Sequence, residues 1–296
     1  MLKRSTLLLL LLGIIWGSNF LFMKMAVALV PALDVAMWRI AFGALPIVVL
    51  ALLRRQLALT DLRHWVHFLA MACLANLGPY IMFIVGTAHL PSGVAGAIAG
   101  AVPCITALVV AVAIPAERPT FRMAVGLLFG LAGILALSPM DVEAGATVEW
   151  TGVFAMLAGA LSYAVALVYA RRFVQPLGLS SLKLAAYQML FALVLLLPFS
   201  HPSSLAALAT DSRALVGLIL GLGLLGTGIA FVIYYELISE IGALRAGSVY
   251  YIPPAVALVL GSAFLGEHLG MREVVGAILV VIGVYYASNK REPARQ

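Results

Sequence analysis

Ten apolar runs follow one another along this chain with only short polar breaks between them. Each is close to the roughly 20 residues that a helix needs to cross the hydrocarbon core of a bilayer. A backbone in lipid must satisfy its own hydrogen bonds, so runs of this length are read as spanning helices and not as strands. The expected spans are 5–29, 34–53, 65–88, 93–114, 120–139, 150–173, 182–199, 214–237, 243–265 and 271–288, with ends good to a few residues. The breaks hold Pro31, Asp34, Arg54, Arg55, Pro91, Pro115, Glu117, Pro119, Asp141, Glu143, Pro176, Pro202, Glu240 and Glu267.

Ten such helices use about two thirds of the 296 residues and leave no room for a soluble domain. Only 10% of the residues are charged, against roughly 25% in soluble domains, so water is not the main solvent. The net charge of +6 would suggest nucleic acid in a soluble protein, but here the basic residues sit in connectors between apolar runs. Placing the N-terminus in the cytoplasm puts 14 of the 18 basic residues on the inner side and leaves Lys24, Arg39, Arg213 and Arg272 outside. Both termini are then cytoplasmic, and Lys24 and Arg39 are expected near outer helix ends, snorkelling. Trp38, Trp65 and Trp150 lie near helix ends and are read as interface anchors. The N-terminal leucine run behind Lys3 and Arg4 continues to about Val30 without a small-residue cleavage site, so it is read as a retained first helix. Cys73 and Cys104 fall inside expected helices and are read as buried small hydrophobes, with no spacing for a metal or a disulfide framework.

The chain also repeats itself. An offset of 150 aligns Pro103 with Pro253, Glu117 with Glu267, Arg122 with Arg272, Val125-Gly126 with Val275-Gly276, Gly133 with Gly283 and Gly78 with Gly228. An offset of 147 pairs Trp16 with Tyr163. Each unit holds five helices, an odd number, so the second must insert with opposite orientation, as in secondary carriers whose substrate sites lie between repeats near the midplane. The expected architecture is all-α and integral to the membrane: ten helices in two inverted five-helix repeats around a central cavity. The units are 1–140 and 150–288, followed by a cytoplasmic tail at 289–296.

The WGSNF stretch near the N-terminus, the segment GAVPCITALVVAVAIPAERPTFRMAVGLLFGLAGI and its partner SVYYIPPAVALVLGSAFLGEHLGMREVVGAILVVIGV resemble the paired EamA domains of the drug/metabolite transporter superfamily. Pro followed some fourteen residues later by Glu and then a Gly-containing helix occurs in both halves. The resemblance covers nearly the whole chain and implies a ten-helix basket, an export role and a bacterial inner membrane. Within the family the aromatic-rich helices look most like the YddG-type exporters of aromatic amino acids. Exporters of threonine or homoserine, of other metabolites and of cationic drugs share the frame.

Counting inward from the helix ends gathers polar and aromatic residues at one level. The residues expected to meet substrate are Trp16, Asn19, Asn76, Tyr80, Pro103, Tyr163, Thr227, Tyr250, Tyr251 and Pro253. Polar side chains avoid lipid, so Asn19, Asn76, Thr227 and Gln188 should face the interior, as ligand contacts or as interhelical glue. A proline inside a helix frees the carbonyl four residues earlier, and mirrored breaks mark binding regions in carriers. Trp16 and the tyrosines combine a flat apolar face with a polar atom, whereas Phe20, Phe22, Phe42, Phe129 and Phe191 are read as packing. Gly217 and Gly221 form one of three small-residue pairs that allow close helix approach.

No Asp or Glu falls at mid-depth, so uncoupled diffusion or exchange of a substrate with little net charge is expected. An intramembrane enzyme would need a nucleophile with a base, paired carboxylates or a metal cluster; the sequence carries no HExxH or GxSxG. The sequence thus implies a transporter, a small-molecule substrate such as an amino acid or related metabolite, no cofactor and no nucleic acid. It leaves the oligomeric state open, a monomer included.

Overall fold

A computed structural model of the chain describes residues 4–90, 95, 98–100, 102–113, 121–137 and 150–265, with 271, 275–276, 278–279, 282–283 and 286 beyond. The described residues are helical throughout the ordered elements. Six helical spans are long and apolar enough to cross a membrane: α1 (Arg4–Val27), α2 (Ala32–Leu53), α3 (Leu59–His89), α6 (Trp150–Leu177), α7 (Ser181–Phe199) and α8 (Ser212–Ile241). Between and after them lie the shorter α4 (Val102–Ala113), α5 (Phe121–Leu137) and α9 (Ile252–Leu265). Most of the expected tenth helix, Glu117, Glu267, Arg118, Arg272 and the 289–296 tail lie outside the described residues.

Local chemistry sets the helix ends. Asp34 sits in the first turn of α2, where an acid complements the helix dipole, and accepts the His201 backbone N–H at 2.7 Å. The side chains of Ser180 and Asp211 cap α7 and α8 by accepting the N–H of Lys183 and those of Arg213 and Ala214. The Lys24 ammonium, expected to snorkel, instead donates to the Thr87 and Leu90 carbonyls at 3.2 and 3.1 Å and closes the end of α3. Free carbonyls at a helix C-terminus attract a cation, which outweighs a short reach to water.

The duplicated prolines sit just after breaks in helical backbone and not in the middle of a helix. Gly100 lies in a turn, and Pro103 is the second residue of the described part of α4. Pro253 and Pro254 likewise lie in the first turn of α9, behind a 3-10 turn at Ser248–Tyr251. A first-turn proline lacks only an N–H that would have had no helical partner. The expected span 243–265 is thus divided into two α-helical segments by the 3-10 turn before the proline. Cys73 also departs from expectation, lying on an exposed face of α3.

The helices neighbour one another in matched sets. α1 packs on α9 and α8, while α6 packs on α4 and α3; α2 packs on α8, while α7 packs on α3; and α2 meets α7 directly. Irregular backbone is matched too. α3 widens to π-helix at Ala72–Leu77 and α8 does so over Gly217–Ile229. Such widenings leave carbonyls for other donors and recur at functional sites. The Ser162 hydroxyl takes the Leu74 carbonyl at 2.8 Å, and the Trp16 indole takes that of Gly226 at 3.1 Å.

Two close approaches depend on glycine. A Cβ on Gly43 of α2 would lie 2.7 Å from the Thr227 Cβ and 2.9 Å from the Gly223 carbonyl oxygen of α8. Gly217 and Gly221 receive the Phe22 ring of α1, so this pair packs within the protomer.

At one end of the bundle Arg4 pairs with Glu236 and Glu240, tying the start of α1 to the end of α8. Arg4 is 66% exposed, and ion pairs of that kind contribute little because water screens them. Arg4→Gln is therefore expected to leave the melting temperature of the detergent-purified protein unchanged within error. A drop of several degrees would show that this pair holds the bundle together.

Candidate functional site

A small cavity of about 30 Å³ lies where α1, α2, α3, α6 and the start of α9 converge. From α1 it is lined by Trp16, Asn19, Phe20 and Met23, and from α2 by Arg39. Phe83, Ala99, Tyr163, Tyr250 and Pro253 complete the wall. The space admits about one water, since a water needs only some 10–15 Å³ measured this way. It is far below the roughly 300 Å³ typical of a small-molecule pocket.

One side of the cavity is aromatic. Trp16 stacks on Tyr250 with ring centroids 4.9 Å apart and planes 24° from parallel. Tyr234 meets the indole edge-on at 5.0 Å, Tyr163 lies at 6.0 Å, and Tyr163 and Tyr250 are 5.2 Å apart. Offset-stacked and edge-on contacts of this kind each contribute roughly 0.5–1.5 kcal/mol beyond their area. The hydroxyls of Tyr234 and Tyr250 are buried and face one another, with no partner among the other side chains. Buried polar groups are nearly always satisfied, so this pair of hydroxyls gives the aromatic side a polar edge that other donors or acceptors have not used up.

The other side is cationic. Arg39 is 3% exposed, not snorkelling as the sequence suggested. It lies seven residues, about 10 Å, into α2. Its Nε donates to Thr227 Oγ1 at 2.9 Å and its Nη2 to the Gly226 carbonyl at 3.3 Å. Its guanidinium carbon lies 3.7 Å from the centroid of the Tyr80 ring, a cation–π contact. Turned to satisfy both of its amide atoms, Asn19 donates to the Ile15 carbonyl at 3.2 Å and accepts from Arg39 Nη2 at 3.0 Å. Thr227 in turn donates to the Leu222 carbonyl at 2.8 Å and accepts from the Tyr80 hydroxyl at 3.2 Å, which uses its full hydrogen-bonding capacity.

The structure therefore sorts the residues singled out in the sequence into three groups. Trp16, Asn19, Tyr163, Tyr250 and Pro253 line the cavity. Tyr80 and Thr227 stand one contact behind it and hold Arg39. Asn76, Pro103 and Tyr251 are not part of the cavity wall. Asn76 is buried with both amide atoms unpartnered, and Tyr251 packs over Gly130 with its hydroxyl 3.8 Å from Cys104 Sγ. Gln188 accepts from the Tyr235 hydroxyl and serves as glue. Sequence reasoning missed Arg39, Met23, Phe83 and Tyr234, and it assigned Phe20 to packing. For Arg39 a signal existed, because a charge inside an apolar run faces the bundle interior by default.

A bundle of membrane-length helices around an interior cavity with aromatic and cationic walls defines a polytopic membrane protein. The sequence profile of the EamA-like transporter family matches residues 3–138 and again 150–289. The chain belongs to that family. It is 30% identical over 284 residues to an Escherichia coli protein named uncharacterized inner membrane transporter YedA, covering 93% of this chain and 89% of that one. It is 24% identical over 272 residues to the uncharacterized transporter YoaV of Bacillus subtilis, covering 92% of both. A chain of known crystal structure shares the fold with a TM-score of 0.71 at 21% identity, covering 96% of both chains.

Proposed function

We propose that the chain is an inner-membrane secondary transporter that exports amino acids, aromatic ones first, by alternating access. Its two five-helix units, 1–140 and 150–288, insert with opposite orientation, and both termini and the 289–296 tail are cytoplasmic. Exchanging helices 1 to 4 with helices 6 to 9 maps α1–α9 onto α6–α4, α1–α8 onto α6–α3, and α2–α8 onto α7–α3, which supports two equivalent units rocking about the cavity. The distribution of basic residues supports the orientation. The name of the Escherichia coli relative supports the compartment.

The observation that carries the substrate class is the stacked pair of Trp16 and Tyr250, with Tyr163 beside them, on the cavity wall. Flat rings accept a flat side chain at little entropic cost. Threonine or homoserine remains the second reading, because Asn19 and the buried tyrosine hydroxyls also suit a small polar amino acid. Cationic drugs are disfavoured by Arg39 in the same wall.

In proteoliposomes, labelled tryptophan is expected to enter down its gradient and to be competed by phenylalanine and tyrosine. Threonine should compete weakly and a quaternary ammonium compound not at all. Competition by threonine but not by phenylalanine would overturn the aromatic reading. Uphill accumulation driven by an imposed pH gradient would overturn uncoupled transport.

A further inference from the structure

We propose that Arg39 is the anchor for a carboxylate on the transported molecule, so that an anionic group is a condition of recognition. The inference rests on the reading of the cavity as the substrate site. Every partner of Arg39 in the structure is neutral: Thr227, the Gly226 carbonyl, Asn19, the Met23 thioether and the Tyr80 ring. Among the described residues, ion pairs lie elsewhere, at Arg4 with Glu236 and Glu240, at Lys183 with Asp61 and at His201 with Asp34. A buried cation without a counter-charge is expensive. Here the neutral partners orient the guanidinium without neutralising it.

The donor count leaves room for a ligand. A guanidinium carries five N–H groups. Three go to oxygens of Thr227, Gly226 and Asn19, and Nη1 has only the Met23 sulfur at 3.7 Å. Nη1 is the nitrogen that a carboxylate would claim, because the hydrogens of Nε and Nη2 are already taken, and a charge-assisted bond there is stronger than one to a neutral acceptor. The Gly226 carbonyl fixes the spacing, because it accepts both from Trp16 Nε1 at 3.1 Å and from Arg39 Nη2 at 3.3 Å. Indole and guanidinium thus stand on either side of one oxygen. Groups that share one acceptor suit a molecule whose carboxylate is one or two atoms from its apolar group, as in an α-amino acid. A permanent cation would meet like charge in a medium of low dielectric, and an uncharged indole would leave Arg39 unpaired.

The test uses the intact protein and analogues that separate charge from ring. Purified protein in detergent is titrated with tryptophan, indole-3-propionate, tryptamine and tryptophan amide, following binding by thermal stabilisation. Counterflow of labelled threonine and of labelled tryptophan is measured alongside in proteoliposomes. Tryptophan and indole-3-propionate are expected to bind about tenfold to a hundredfold more tightly than tryptamine or the amide, as loss of a charge-assisted bond implies. In Arg39→Gln that ratio should collapse towards one, and Arg39→Lys, which keeps charge but loses the fork, should recover only part of it. A merely structural arginine would weaken all four ligands alike. Equal binding of tryptamine and tryptophan to the parent, an unchanged ratio in Arg39→Gln, or no binding by any carboxylate would overturn the proposal. If threonine is carried with the same demand for its carboxylate and tryptophan is not, the aromatic reading fails and the role of Arg39 stands.

Discussion

Trp16→Ala is expected to abolish transport of an aromatic amino acid while the protein still inserts in the membrane. The indole packs against Tyr250, Tyr163 and Tyr234 and donates to the Gly226 carbonyl. Truncation removes the platform, leaves a void next to the cavity and orphans that carbonyl. Burying a tryptophan-to-alanine change typically destabilises by roughly 3–5 kcal/mol, so the melting temperature should fall as well. Trp16→Phe separates the two effects. It keeps a ring against Tyr250 but loses the N–H, and should retain folding and a reduced, measurable rate. Uptake into proteoliposomes and the melting temperature of both variants give the answer. Full transport by Trp16→Ala would remove the aromatic wall from the mechanism.

Gly43→Val should have the next largest effect, and it acts through the fold. Its added carbons would run into the Thr227 side chain and the Gly223 backbone carbonyl. A side chain can rotate away, but a carbonyl moves only with its helix, so α2 and α8 must part. Overpacking of a tight contact costs about 1–3 kcal/mol. Here it also pulls Thr227 from Arg39, which loses its 2.9 Å bond. A lower yield of monodisperse protein and loss of transport are expected, with Gly43→Ala intermediate. Wild-type melting and transport by Gly43→Val would mean that the α2–α8 contact is looser than the structure has it.

Much of this was legible in the sequence, because lipid permits few backbone solutions. Expected spans such as 5–29 and 34–53 agree with α1 and α2 within two residues. The aromatic wall of the cavity was legible for a related reason: Trp16, Tyr163 and Tyr250 are polar-tipped rings well inside apolar runs. What failed was direction. Arg39 was assigned by its distance from a helix end, whereas the face it presents decided its place among Tyr80, Thr227 and Gly226. Lys24 was misread likewise, since the end of α3 that receives it is remote in sequence. Pro103 and Pro253 were recognised as a pair, but a proline that breaks a helix and one that begins it look the same until the preceding turn is known. Tyr234 gave no sign, because it becomes part of the cluster only through tertiary contact with Trp16.

The size of the cavity bears on how affinity should be understood. At about 30 Å³ it has no room for an amino acid, so a cavity that serves as the proposed substrate site must widen before loading. The dissociation constant measured in solution then combines intrinsic attraction with the scarcity of expanded molecules, and is weaker than the contacts alone would give. Bulkier cargo demands greater dilation, so selectivity among side chains would reside as much in the energy of yielding walls as in the contacts they finally make.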